Sequence, residues 1–277
     1  MTRMGFFTDT SVCIGCKACE VACKEWNQVP DDGFDLLGMS FDNTGALSAN
    51  SWRHVAFIEQ ERAIVQDRPT GDFRWLMASD VCKHCTHAGC LDVCPTGALF
   101  RTEFGSVVVQ QDICNGCGYC VSACPFGVIE RRERDGGHGG GHGGGHGGEV
   151  YGGGRAQKCT LCYDRLRGGL EPACAKACPT DSIQFGQLDE LRSRASARVE
   201  ELHERGVPQA RLYGASPEDG VGGAGAFFLL LDEPEVYGLP PDPVVPTRDL
   251  PAMWRYAGIA ASALLAAAVS VFAGGAR

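Results

Sequence analysis

The chain has 277 residues, among them 16 cysteines and 38 glycines, and a formal net charge of −9. So acidic a balance excludes a role built on neutralising nucleic-acid phosphates. Hydrophobic residues make up 44%, enough for a core, but this much glycine and cysteine predicts many turns and an organiser other than apolar burial.

Residues 1–10 contain no apolar stretch of signal-peptide length, so the chain is not expected to direct itself to an oxidising compartment. The first cysteine run follows at once, Cys13-x2-Cys16-x2-Cys19-x3-Cys23. The second is Cys82-x2-Cys85-x4-Cys90-x3-Cys94, closed by Pro95. Thr96 to Phe100 then lead past Gly105 into Ser106 to Val109, a β-rich pattern. The third run is Cys114-x2-Cys117-x2-Cys120-x3-Cys124, closed by Pro125. Residues 136–154, GGHGGGHGGGHGGEVYGGG, set His138, His142 and His146 in glycine too dense to pack, and a flexible surface insertion is expected rather than a metal site. The fourth run is Cys159-x2-Cys162-x11-Cys174-x3-Cys178, closed by Pro179.

Beyond the cysteines, residues 187–205 read as an amphipathic helix, with Leu188, Leu191, Ala195, Val199 and Leu202 on one face and Gly206 as its stop. His203 on it reads as structural. Phe227 to Leu231 read as a short buried strand, and Pro240 to Pro246 as an extended linker. Between Arg255 and Arg277 lie 21 uncharged residues, long enough to cross a bilayer, with Trp254 and Tyr256 where interfacial aromatics belong. Gly258, Ser262, Ala266, Ser270 and Gly274 form a row of small residues expected to face a helix of a membrane partner. A buried soluble helix is the alternative.

The spacing decides what the cysteines hold. Three thiolates two residues apart wrap one cubane and reach three of its irons; the fourth cysteine points away and ligates a second cluster, and proline after it turns the chain onward. Runs therefore work in pairs, and four runs hold four 4Fe–4S clusters with no cysteine left over. Zinc is the strongest rival, but structural zinc sites have no use for an x3-Cys-Pro tail. Runs two and three lie close together, so a nested pairing is expected, with run one joining run four around them. This predicts Cys13, Cys16, Cys19 and Cys178 for cluster A; Cys159, Cys162, Cys174 and Cys23 for cluster B; Cys82, Cys85, Cys90 and Cys124 for cluster C; and Cys114, Cys117, Cys120 and Cys94 for cluster D. Pairing run one with run two is the alternative. The expected fold is α+β: two pseudo-symmetric bacterial two-cluster ferredoxin-like modules, one inserted in the other. The outer module takes residues 1–79 and 155–248, the inserted one 80–134, with the glycine–histidine insertion at 135–154 and a single transmembrane helix at 252–275. Lys17, Lys24, Lys83 and Lys158 flank ligands, where a positive charge favours a cluster's reduced state; solvated surface lysines are the alternative for the first three.

The stretch CIGCKACEVACKEWN at 13–27 closely resembles the iron–sulfur (β) subunit of membrane-bound respiratory formate dehydrogenases. The likeness continues through GCLDVCP at 89–95, GCGYC at 116–120, CPF at 124–126, KCTLC at 158–162, EPACAKACPT at 171–180, YGLPPDP at 237–243 and the terminal helix. The resemblance implies the nested pairing, a catalytic subunit with a molybdenum or tungsten bis-pterin cofactor that oxidises formate, and a cytochrome b subunit that passes electrons to quinone. It implies an electron-transfer subunit, not catalytic alone, anchored by its C-terminal helix and exported with its catalytic partner to the extracytoplasmic side. It makes Lys158, beside a ligand, the strongest candidate for tuning. The cysteine runs alone are shared with subunits of sulfur-compound reductases and hydrogenases, which is the alternative reading. The glycine–histidine insertion and the short lead before Cys13 are unlike that family.

Overall fold

Strand β1 (Met4–Asp9) is buried from Gly5 onward, because both of its faces are covered. In the computed structural model, residues 2–32, 38, 41–61, 73–132 and 154–274 are described; the tract holding His138, His142 and His146 lies outside them. The first cysteine run loops from β1 into α1 (Ala18–Asn27). The long strands β2 (Arg53–Glu61) and β3 (Phe73–Val81) pair antiparallel over their whole length. Then come α2 (Gly89–Asp92), β4 (Leu99–Arg101), β5 (Val107–Val109), α3 (Tyr119–Ser122) and β6 (Glu130–Arg131). The expected β pattern between the second and third runs is the antiparallel pair β4–β5. The next strand, β7 (Ala156–Gln157), pairs antiparallel with β6, so the chain returns beside the point where it left. The remainder is α4 (Tyr163–Arg167), α5 (Ala173–Lys176), β8 (Ile183–Gln187), α6 (Leu188–Glu204), β9 (Arg211–Tyr213), β10 (Ala226–Leu230) and α7 (Leu250–Gly274).

Four of these strands form one sheet in the order β8-β1-β10-β9, with β1 parallel to β10 and antiparallel to β8. Side chains alternate across it, as a period of two requires. Phe7, Phe227 and Leu229 pack with Leu188, Leu191, Ala195 and Leu202 of α6. Phe7 stacks on Phe227 with ring centroids 5.4 Å apart. Phe6 and Ala226 point the other way, into a core shared with Cys19, Cys82, Cys159 and Cys174. One face of the sheet is thus closed by an ordinary amphipathic helix and the other by the cysteine loops.

Helix α6 matches the sequence expectation to within one residue at each end, and His203 holds the Ala210 carbonyl through Nε2 at 2.8 Å, a structural role. The expected strand at 227–231 is β10, shifted by one residue. The proline-rich stretch, expected to be an extended linker, bends at residues 241–242 and enters a 3-10 turn at Pro246, and it is no free linker. The Tyr213 hydroxyl donates to the Pro240 carbonyl at 2.6 Å, and Val245 is buried, packed so close to α2 that a β-carbon on Gly89 would meet its Cγ1 at 3.2 Å. Prolines supply carbonyls without N–H groups to satisfy, which suits a segment strapped across a surface. The strap ends where Thr247 Oγ1 donates to Asp92 Oδ2 at 2.6 Å, and α7 begins three residues later.

Helix α7 spans 25 residues, and the helical stretch 246–273 reaches a mean hydropathy of 1.9. From Met253 through Ala273 its side chains are exposed. A 25-residue helix rises about 37 Å, more than a hydrocarbon core requires. Replacing Leu191 by alanine, which opens a cavity between α6 and the sheet, is expected to destabilise the fold by about 2–5 kcal/mol. The exposed Ser196→Ala control should stay within about 0.5 kcal/mol; differential scanning calorimetry compares the two.

Candidate metal centres

Each cysteine run owes its shape to one backbone feature. The residue two positions after the first cysteine is left-handed in all four runs: Gly15 (φ 65°), His84 (φ 45°), Gly116 (φ 75°) and Leu161 (φ 58°). This reversal turns successive cysteines toward a common interior. Glycine is the unstrained choice for it, and at Gly15 and Gly116 space demands glycine as well. A β-carbon on Gly15 would lie 2.6 Å from the Phe57 ring, and one on Gly116 would lie 2.2 Å from the Gly154 carbonyl oxygen. His84 and Leu161 adopt the same turn despite their side chains, held there by complete burial. A second repeated turn follows each Cys-Pro pair: the N–H groups of Gly97, Gly127 and Asp181 donate to the carbonyls of Cys94, Cys124 and Cys178.

The turns bring the thiols together in groups. One cavity is lined by Cys13, Cys16, Cys19 and Cys178, and another by Cys82, Cys85, Cys90 and Cys124. Cys23 lies within electrostatic reach of Cys159, Cys174 and Cys162, and Asn27 Nδ2 stands 3.7 Å from Cys23 Sγ and 3.9 Å from Cys162 Sγ. Cys120 is coupled in the same way to Cys114, Cys117 and Cys94. A larger cavity of about 540 Å³, lined by Lys83, Phe126, Tyr213, Asp219 and Pro243 among others, has no cysteine in its wall. Among the described residues, no three Cys, His, Asp or Glu side chains converge tightly enough to grip a single ion. Zinc requires just such convergence, with sulfur about 2.3 Å from the metal. Thiols spread around a shared cavity suit a body several atoms across.

Burial pushes most of these thiols up: Cys90 and Cys159 to about 12, Cys19, Cys120 and Cys162 to about 11. Neighbouring thiols add to the rise, so the groups ionise only where positive charge offsets them. Cys94 differs; the N–H groups of Leu99, Thr96 and Ala98 outweigh its slight burial and hold it low.

Two buried cations supply part of that offset. Lys158, 3% exposed, donates to the carbonyls of Val107 and Cys159 and lies 3.5 Å from Cys82 Sγ. Burial opposes its charge, but Cys82, Cys90 and Cys159 outweigh burial and hold it above the usual lysine range. Arg53, 2% exposed, is likewise held up against burial by Cys174, Cys19, Cys159 and Cys23. The other flanking lysines differ from the sequence reading. Lys83 is not on the surface at all: it is 1% exposed, paired with Asp80 and flanked by the rings of Phe126 and Phe228. Lys17 is held by Glu20 and Asp42, and Lys24 by Asp32, so carboxylates already absorb their charge.

Comparison with known proteins agrees with this chemistry. Two family models described as a 4Fe-4S dicluster domain match the chain, one over residues 73–138 and the other over 12–98 and 113–182. The chain is 40% identical over 251 residues to the iron-sulfur subunit of the nitrate-inducible formate dehydrogenase of Escherichia coli (strain K12), covering 89% of this chain and 75% of the relative. The chain belongs to the family of formate dehydrogenase iron–sulfur subunits. The formate dehydrogenase iron-sulfur subunit of Haemophilus influenzae is 40% identical over 242 residues, covering 86% of this chain and 68% of that one. One polypeptide of the anaerobic dimethyl sulfoxide reductase of E. coli matches less closely, at 32% over 193 residues, 70% of this chain and 78% of that one. Like its family, the chain is an electron-transfer subunit that carries four 4Fe–4S clusters, with a mixed α/β fold of two dicluster domains and one C-terminal apolar helix.

Several neighbours of the thiols escape a reading of the sequence. Arg53 stands far from any cysteine in the chain, and Ser79, though three residues before Cys82, carries no local sign that it serves the first run; the β2–β3 pairing carries both to Cys19, whose Sγ is 3.2 Å from Ser79 Oγ. Glu20, buried beside Cys19, accepts from the Val55 N–H and thereby fixes α1 to β2. Asn27 lies within the stretch that carries the family resemblance, and its one signal is its nearness to Cys23. Two outcomes check these assignments. Gly116→Ala is expected to cost the protein one cluster, about four of its irons, while the others load normally; iron per polypeptide by mass spectrometry reads it. Lys158→Ala is expected to lower at least one cluster midpoint in an anaerobic redox titration, and an unshifted set would dismiss a tuning role.

Proposed function

We infer that the chain conducts electrons, one at a time, from a formate-oxidising molybdenum- or tungsten-pterin subunit to a cytochrome b in the membrane, with α7 as its anchor. The observation that carries this reading is the unbroken adjacency of the four thiol groups. Cysteines 13, 16, 19 and 178 hold cluster A; 159, 162, 174 and 23 hold cluster B; 82, 85, 90 and 124 hold cluster C; 114, 117, 120 and 94 hold cluster D. Support comes from the shared cavities of A and C and the mutual thiol coupling within B and D. Neighbouring groups also lie within electrostatic reach of one another. Cys19 couples to Cys174, Cys159 to Cys82, and Cys90 to Cys120, which orders the row A, B, C, D. Bound clusters supply one-electron stations for a substrate that yields two.

The nested arrangement has independent support. β1, which leads into run one, pairs with β8, which follows run four, and α1 packs on α5. Runs two and three share the core around Ala88, Leu99, Val107 and Ile129. In this reading residues 1–79 and 155–248 form the outer module and 80–134 the inserted one. The strap before α7 docks on α2, which carries Cys90, so the inserted module faces the membrane and the outer module faces the catalytic partner. The small-residue row Gly258, Ser262, Ala266 and Ser270 is the face offered to the cytochrome. By the same family likeness, the clusters sit on the extracytoplasmic side.

The chain's own residues keep water and stray charge out of this row. Phe6, Val55, Leu161 and Ile183 fill the spaces between thiols, and the buried cations stand where added negative charge must be borne. In the complex purified anaerobically with its partners, about sixteen irons per polypeptide are expected, and formate alone should bleach the visible absorbance and bring up reduced-cluster EPR signals. Clusters that ignore formate but respond to hydrogen or to a sulfur compound would transfer the chain to another oxidoreductase. Zinc in place of iron would end the reading altogether.

A further inference from the structure

Arg53 opens β2, remote in sequence from every cysteine, yet its side chain is enclosed in the core. Its Nη1 donates to Ser79 Oγ at 2.9 Å and to the Ser79 carbonyl at 3.3 Å, and its guanidinium lies 5.0 Å from the centre of the Phe6 ring. Ser79 Oγ in turn reaches Cys19 Sγ at 3.2 Å. Two guanidinium nitrogens, Nε and Nη2, are buried with no hydrogen-bond partner among the described residues. A buried cation with free donors is strongly unfavourable unless an anion accepts them. The groups whose charge acts most on Arg53 are not carboxylates but thiols: Cys174, Cys19, Cys159 and Cys23. Cys19 belongs to the set assigned to cluster A and the other three to cluster B.

We propose that Arg53 is the counter-cation shared by cluster sites A and B, with Nε–H and Nη2–H as the donors left for their cysteinyl or cluster sulfur. The inference rests on the ligand sets proposed above. Reduction adds one negative charge to a site, and a fixed guanidinium beside both sites favours the reduced form of each. Arg53 is therefore a positioning charge that brings A and B to a common range of potential, so that an electron entering at A moves on to B. A lysine does not replace it, since an ammonium is a point charge without the planar fork that serves two acceptors at once. Its place differs from that of Lys158, whose thiol neighbours Cys82, Cys90 and Cys159 lie across the boundary between B and C.

The test is an EPR-monitored redox titration of the whole purified complex carrying Arg53→Met or Arg53→Lys, with iron counted in parallel. With Arg53→Met, two of the four clusters should shift at least tenfold toward the oxidised form at a fixed potential, about 59 mV for a one-electron couple. The other two should stay in place. Arg53→Lys should move the same two clusters in the same direction by less. Unshifted midpoints at full iron content, or four midpoints displaced alike, overturn the proposal and leave the ligand sets standing. If Arg53→Met fails to load iron, Arg53→Lys decides alone, and the absence of any shift in it overturns the inference. An unmodified complex with far fewer than about sixteen irons removes both the ligand sets and the role of Arg53.

Discussion

Sixteen thiols gathered into four neighbouring groups repel one another as soon as they ionise, and offsetting that charge is the constraint on which the rest of the structure depends. Most of the offset must come from bound iron, since burial drives the thiols of Cys90 and Cys159 far above their ordinary range. The protein adds Lys158 and Arg53, each enclosed and each among sulfur atoms rather than carboxylates. The apolar elements are placed to serve this arrangement. The sheet β8-β1-β10-β9 turns one face to α6 and the other to the cysteine loops, so Phe6 and Ala226 pack against thiols as readily as Phe7 and Phe227 pack against leucines.

The backbone solves its half of the problem by repetition. The same left-handed residue stands at the same place in every run, although only two of the four are glycine. Where a second element comes close, as Phe57 does to Gly15 and Gly154 to Gly116, a side chain would have nowhere to go. His84 and Leu161 have room and use it, Leu161 packing in the core that holds Cys82 and Cys159 and His84 accepting the Val107 N–H through Nδ1. Strain in the loop is balanced by burial beneath it.

Much of this is legible in the sequence, because ligand spacing is a local property. The runs, their Cys-Pro turns, the hairpin β4–β5, helix α6 and the apolar helix α7 can all be read from residues near one another. What cannot be read depends on long-range pairing. Arg53 looks like any charge at a strand's start, and Lys83 like a surface lysine beside a ligand; the first is carried inward by β2–β3, the second by the packing of Phe126 and Phe228. The proline stretch at 240–246 looks like a tether because composition records stiffness and not the groove in which a stiff segment lies.

The short pair β6–β7 bears on how the chain can vary. Glu130 stands opposite Gln157 and Arg131 opposite Ala156, so whatever intervenes starts and finishes at one neck. The entropy of closing such a loop grows only with the logarithm of its length, and each doubling costs about 0.6 kcal/mol. Changing the length of what lies between the two strands thus alters the cost of closing the loop very little. That neck is a natural place to graft an affinity handle or a fluorescent reporter onto the assembled complex, leaving the sulfur-lined core undisturbed.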